Sequence, residues 1–255
     1  MTAEALRAAA LNFALLTLLF APLERLFPAR VQRFWRRESW LDAAFFLGQY
    51  LLFGGVAVLL LSGVERWVST AEPPALRAAL ASLPPVPVAL GAVVAGDVVV
   101  YWFHRACHHY ELLWRFHAVH HSSEELDWLA AHREHPLDGL LTQLCQNLPA
   151  IALGVHYELL AGLVVFRGAW SVFIHSNVSL PLGPLRLLLG APELHRFHHA
   201  RVRATRHNFA NLAPWLDVVF GTYFRPAPSA DFALGLTEPA RRGYVGHLAR
   251  PFLGK

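Results

Sequence analysis

Eight histidines of this chain fall into three tight spacings: His104 and His108; His117, His120 and His121; and His195, His198 and His199. On an α-helix, residues three or four apart share a face, so H-x-x-x-H and H-x-x-H-H each aim imidazoles in one direction. Neutral imidazole is the commonest metal ligand, and eight ring nitrogens exceed what one first-row ion accepts. The spacing therefore predicts two metal ions held close together. One such motif arises readily by chance, but three of them make independent coincidence a poor explanation.

Fourteen of the fifteen histidines lie between His104 and His207, and the others divide by context. His175 closes an apolar run; capping or packing is the simpler role for it, and a ninth ligand the one expected, since a buried polar side chain there needs a partner. His132 and His135 have helical spacing, but Pro136 disfavours a helical conformation at His135, so both are expected to line or brace the site. His109, His156, His207 and His247 have no spacing partner and are assigned to surface or packing roles. Asp97 lies two helical turns before His104 inside an apolar run. It is expected to orient a ligand imidazole, the alternative being an interfacial residue that meets water or an arginine. Ligand type leaves zinc, iron, copper and nickel open, so hydrolytic zinc and oxygen-activating iron both stand. The absence of an H-E-x-x-H motif weakens a zinc-dependent membrane hydrolase. A metal transporter or metal-binding membrane protein is the non-enzymatic alternative, but transport would place ligands near the membrane midplane. Cys107 and Cys145 read as packing residues.

The elements that must carry these side chains are membrane helices. With 55% apolar and 16% charged residues and a mean hydropathy of +0.36, the chain is too oily for an average soluble domain. Apolar runs cover Ala8 to Pro22, Trp40 to Val64, Pro87 to Phe103 and Leu140 to Ile174, against roughly 20 apolar residues needed for a helical span. The last run reads as a helical hairpin turned near Gly154. No cleavable signal peptide is recognisable, so the N-terminus is expected to remain as an anchor. Arg25, Arg30, Arg33, Arg36 and Arg37 separate the first two runs, whereas Arg66 and Arg77 are the only basic residues of the next connection. The positive-inside bias places the arginine-rich loop, and with it the end of the third helix at His104, in the cytoplasm. Arg186, Arg196, Arg201, Arg203 and Arg206 are expected on the same side. The net charge of +4 flanks apolar spans rather than forming a basic domain, which points to anionic lipid headgroups and away from nucleic acid.

The motifs then resemble those of the fatty acid hydroxylase and sterol desaturase superfamily. The resemblance is carried by Asp97-x-x-x-Tyr101-Trp102-x-His104-Arg105-x-x-His108, His117-x-x-His120-His121-Ser122, Arg133-x-His135-Pro136, His175-Ser176-Asn177, His195-x-x-His198-His199, Asn208-Phe209 and Trp215-x-Asp217-x-x-Phe220-Gly221-Thr222. It runs from about Asp97 to Thr222; the upstream helices agree in character only. The step from His108 to His117 is similar to that of the alkylglycerol monooxygenase branch and of bacterial members. The resemblance implies an all-α integral membrane bundle of about four transmembrane helices, with a cytoplasmic helical cap holding two irons. His104, His108, His117, His120, His121, His195, His198 and His199 carry over as ligands. His175 matches a further histidine near the metals, and Asn177 and Asn208 stand in motifs expected to line or support the site.

The activity implied is oxidation of a lipid C–H bond with dioxygen as co-substrate, by hydroxylation or desaturation. The substrate classes are a sterol, fatty acyl chain, sphingoid base or alkylglycerol. Zinc can replace iron in an imidazole site during purification. Ala210 stands where a glycine is often found, a small replacement. No His-Pro-Gly-Gly haem motif is present, so electrons are expected from a separate donor: a cytochrome b5-like protein, a ferredoxin or a reductase. The expected organisation is N-terminal membrane helices over 1–85, a catalytic region over 86–224 and an irregular tail over 225–255, in a bacterial inner membrane.

Overall fold

The computed structural model describes residues 3–155, 157–201, 206–227, 231–238 and 243–253. Helix α1 (Ala3–Leu26) leads to α2 (Ser39–Gly48), which continues through a π-helical turn at Gln49–Phe53 into α3 (Gly54–Ala71). α4 (Pro74–Ala81) precedes α5 (Pro85–His109) and α6 (Glu111–His117). The pair α7 (Pro136–Ala152) and α8 (Tyr157–His175) follows, then α9 (Arg186–Leu189), α10 (Pro192–His198), α11 (Trp215–Val219) and α12 (Gly243–Ala249). Isolated bridges Pro28 to Val178 and Ala200 to Leu234 are the only β pairing among the described residues.

Ala3–Leu26, the continuous Ser39–Ala71 and Pro85–His109 are long and apolar enough to cross a membrane. At 1.5 Å per residue, the 33 residues of Ser39–Ala71 span about 50 Å, so this rod must tilt in, or project from, a hydrocarbon core of about 30 Å. Leu11, Leu15 and Leu18 of α1 and Val58, Leu59 and Trp67 of α3 are exposed, as helices facing lipid require. The expected hairpin is present as α7 and α8. Gly154 supplies its reversal at φ 63°, a backbone conformation costly for other residues. Its apolar part, Leu159–His175, is shorter than the other three helices.

The histidine-bearing segments gather at one end of this bundle. α5 and α8 both finish there, at His109 and His175, and the end of α1 joins them through Ala29 N to Asn177 O at 3.0 Å. The arginine-rich connection lies at the same end: Arg36 pairs with Asp127 through Nε to Oδ2 at 2.6 Å, and Arg30 donates to Phe232 O at 2.7 Å. Three apolar clusters fix the segments. Ala9, Phe20, Phe46, Trp128, Leu129 and Val172 join α1, α2 and α8 to the loop before α7. Tyr101 of α5 packs with Phe209, Ala210, Ala213 and Leu216. Leu41 and Phe45 of α2 enclose Val119, with Tyr244 and Leu248 of α12 against them. Each fully buried large side chain contributes about 1.5–3 kcal/mol. The 225–255 tail is thus not irregular throughout, because α12 has an apolar face to bury on α2.

Buried charge reinforces the same end. Asp42 accepts from Arg36 at 2.8 Å and from Arg133 at 2.6 Å, and Arg133 also reaches Glu38 at 2.7 Å. Asp127, held by Arg36, accepts in turn from the Leu129 and Ala130 amides. This network locks the start of α2 to the 127–133 loop, whose Arg133 carbonyl faces a site histidine.

Candidate metal centre

His104 and His108 lie one turn apart at the end of α5, where Tyr110 becomes extended and α6 begins at once. His117 is the last residue of α6, but His120 and His121 lie in a separate 3-10 turn. The second motif therefore does not occupy one α-helical face as its spacing predicts. Ser122 Oγ donates to Val119 O at 2.6 Å, and the chain turns extended at Ser123, which tightens the end of the helix. In the third motif His195 and His198 end α10 and His199 caps it.

The nine histidines separate into two adjoining groups. In one, ligand nitrogens of His104, His108, His117, His121 and His198 lie within 4.8 Å of one another; in the other, those of His120, His175, His195 and His199 do so. The groups cut across the motifs: the pairs 104/108 and 117/121 enter the first and 195/199 the second, while His120 and His198 cross over. His121 and His199 stack across the boundary with ring centroids 4.3 Å apart.

The hydrogen-bond partners test whether these rings suit metal. Nδ1 faces an oxygen that can only accept in five cases: Phe209 O for His104 at 2.7 Å, Asp138 Oδ2 for His117 at 2.8 Å, Arg133 O for His120 at 3.1 Å, Ser171 O for His175 at 2.6 Å and His207 O for His198 at 2.8 Å. Each of these Nδ1 atoms must carry the proton, so a neutral ring presents a lone pair at Nε2. In the first group all five Nε2 atoms are buried without a hydrogen-bond partner. In the second, His175 Nε2 lies 2.9 Å from His120 Nε2 and 2.8 Å from His195 Nε2, which is 3.2 Å from His199 Nε2. The lone pairs of His120 and His175 cannot bond each other. The three successive Nε2 separations near 3 Å, His120 to His175 to His195 to His199, approach the edge of a tetrahedron, about 3.3 Å for ligands ~2.0 Å from a shared ion. Both groups therefore fit a cation.

Charge state agrees. Burial first, then neighbouring histidines, hold His120, His121, His195 and His199 well below the ordinary histidine pKa. Burial brings His198 down to about 3. These five rings are neutral near pH 7, the form that ligates.

The residues expected to support the site fare differently. Asp97 bonds Arg167 of α8, not an imidazole, and the carbonyl of Phe209 orients His104 instead. An arginine on the facing helix neutralises the buried carboxylate, so the expected imidazole contact is corrected. His132 joins neither group; its Nδ1 lies 3.2 Å from Gln49 Oε1 and its ring meets Phe46 edge-on at 4.8 Å. His135 is extended before Pro136, and its Nδ1 accepts from Leu137 N while Nε2 donates to Leu248 O. Asn177 pairs with the Arg30 backbone through Oδ1 and Nδ2. Asn208, at φ 59°, donates to Leu194 O and Phe224 O. Both asparagines tie segments together without touching a ligand ring. His109 is exposed, His207 contributes its carbonyl to His198, and His247 is fully buried in packing. His156 and Arg203 lie outside the described residues.

Sequence reading missed Asp138 and the four carbonyl partners. Asp138 stands in the first turn of α7. The closing motif serves a similar end at a distance. Asp217 accepts from the Phe209 and Ala210 amides and from Thr222 Oγ1, and Thr222 meets Tyr101 Oη at 2.7 Å. It thereby fixes the Phe209 carbonyl that orients His104.

A cavity under the histidines encloses about 70 Å³ of free space between α5, α7 and α8, lined in part by Val100, Phe103, Thr142 and Ser171.

A sequence model of the fatty acid hydroxylase family matches residues 89–222. The chain is similar to ornithine lipid hydroxylase OlsE of Rhizobium tropici, 37% identical over 176 residues, 66% of this chain and 51% of that protein. It is similar to alkylglycerol monooxygenase of Homo sapiens, 34% identical over 149 residues, 58% of this chain and 33% of that protein. It is also similar to methylsterol monooxygenase 1 of Rattus norvegicus, 32% identical over 136 residues, 52% of this chain and 45% of that protein. The chain spans about half or less of the length of these relatives. No solved structure matches it.

Proposed function

Since the chain belongs to the fatty acid hydroxylase family, we propose that it is a membrane-bound two-iron oxidoreductase that uses dioxygen to hydroxylate or desaturate a lipid. The observation that carries this reading is the convergence of nine histidines, eight of them buried and His108 half-buried, at one end of an apolar helical bundle, with five Nε2 atoms left without a hydrogen-bond partner and the other four facing one another. His104, His108, His117, His121 and His198 would hold one iron, and His120, His175, His195 and His199 the other. The choice of iron rests on family membership, since imidazole alone accepts several metals. When bound, the irons would supply the redox centre that activates dioxygen against an unactivated C–H bond.

The protein's own contribution is orientation and exclusion. Oxygen partners at Nδ1 hold the rings of His104, His117, His120, His175 and His198 in one tautomer and aim their Nε2 atoms inward, and the apolar clusters keep water from the centre. The cavity between α5, α7 and α8 would receive the lipid segment to be oxidised. We place α7 and α8 as the remaining membrane hairpin of about four spans, and the arginine-rich end in the cytoplasm of a bacterial inner membrane. Exposed Arg33, Arg37, Arg201 and Arg206 would meet anionic headgroups there. Electrons would come from a separate cytochrome b5-like protein, ferredoxin or reductase. Clustering of all the ligands at helix ends favours a fixed centre over a transport path.

Lipid profiles of cells expressing the wild type and a His120→Ala/His198→Ala double variant test this. The wild type should show one lipid class gaining an oxygen or losing two hydrogens, with no change in the variant. Identical profiles under aerobic growth, from a protein that retains its metals, would contradict it.

A further inference from the structure

One carboxyl faces the histidine cavity without a counter-charge. Glu134 lines it together with His104, His117, His120, His175 and His195. The preceding Arg133 turns its guanidinium away to Asp42 and Glu38, and Glu134 has no ion pair among the described residues. Gln49 Nε2, on the π-helical turn between α2 and α3, approaches Glu134 Oε2 to 3.5 Å. Such turns within helices are frequent at functional sites. Gly139 of α7 forms the seat of the carboxyl, since a Cβ there would lie 2.6 Å from Glu134 Oε2.

The oxygenase reading, on which this inference rests, needs protons at that place. Hydroxylation follows R–H + O2 + 2 e⁻ + 2 H⁺ → R–OH + H2O: the C–H and O–O bonds break, and a C–O bond and new O–H bonds form. Dioxygen takes two electrons from the C–H bond and two from the external donor. The histidines cannot supply the protons. Those at Nδ1 of His104, His117, His120 and His175 are held by carbonyl or carboxylate oxygens, and Nε2 is the ligand atom; His195, whose buried Nδ1 has no partner, would have to become an imidazolate to release its proton. Asp138 is engaged by His117, and the Cys107 thiol faces Asp138. The Thr142 and Ser171 hydroxyls can pass a proton on but hold no spare one.

We propose that Glu134 delivers protons to dioxygen as it is reduced in this cavity. Each transfer breaks the Glu134 O–H bond, forms an O–H bond on the oxygen being reduced, and leaves a carboxylate that solvent reprotonates. Burial, and after it the Asp138 charge, push the Glu134 pKa well up, which keeps a proton on it.

The test uses the full chain with Glu134→Gln and Glu134→Asp. Metal content is measured on purified protein, oxidised lipid in the expressing cells, and infrared spectra on zinc-loaded protein near pH 7. Glu134→Gln should retain both metals and lose about 100-fold or more of product, a typical general-acid contribution, while Glu134→Asp recovers part of it. The infrared carbonyl band of a protonated carboxyl should be present in the wild type and absent from Glu134→Gln. Product within threefold of wild type, loss of metal together with product, or no infrared band lost would each overturn the proposal. A wild type that oxidises no lipid would count against the oxygenase reading; a wild type that does so while Glu134→Gln matches it would count against Glu134 alone.

Discussion

Five of the nine candidate ligands depend on an atom that does not touch the metal position. A carbonyl or carboxylate at Nδ1 decides which nitrogen keeps the lone pair, and Asp138 is the one charged case. Asp138→Asn keeps an acceptor for His117 but removes its charge. It should lower metal affinity about 10-fold or more in chelator competition, in line with outer-shell partners of metal-bound histidine; unchanged affinity would make Asp138 incidental. None of this was readable beforehand, because His117 and Asp138 are 21 residues apart and carbonyl partners have no sequence signature. The motif histidines were readable because helical periodicity brings them together locally. Their division into groups of five and four was not, since it depends on a 3-10 turn and on docking of α10. His247 shows the cost of an unpartnered ring. It is fully buried with both nitrogens unbonded, and burial lowers its pKa from 6.5 to about 4. As pH falls below 6.5 the unfolded chain binds a proton that the folded chain refuses until about pH 4. Stability is therefore complete above that window and falls within it, by about 3 kcal/mol. In His247→Leu, the pH dependence of the unfolding midpoint across the window should weaken by about one proton.

Among the elements, α5 and α8 are held by a charge pair and the 127–133 loop by a charge network. Asp97 was readable as costly and in need of a partner, but the choice between an imidazole and an arginine depended on which residue of α8 faces α5, which periodicity leaves open. Asp97→Ala strands Arg167 among apolar helices, so it should lower stability by about 3–5 kcal/mol while leaving metal content unchanged. Loss of metal without loss of stability would restore Asp97 to an imidazole-orienting role. Asp42→Ala removes the carboxylate shared by Arg36 and Arg133, both buried. A destabilisation of similar size is expected. Because the Arg133 carbonyl holds His120, that variant should also weaken metal binding in the group containing His120. Melting and metal analysis of the two variants side by side would separate an element that supports the fold from one that supports the centre.

At the scale of the whole molecule, apolar run length predicted the helices and arginine placement predicted which connections share an end with the histidines. The α7–α8 pair was readable from Gly154, but its shorter apolar length gives less warrant for a full crossing. The helix in the tail was missed because its short apolar face makes sense only against α2. Two adjoining metal positions built from nine histidines are the feature on which the proposed chemistry depends. The most direct measurement is metal stoichiometry after anaerobic loading with ferrous iron, for the wild type, His117→Ala, His195→Ala and the exposed His109→Ala. Assignment of His117 and His195 to separate groups predicts about two irons in the wild type and His109→Ala, and about one in each of the other two. One iron in the wild type, or two retained in both His117→Ala and His195→Ala, would contradict it.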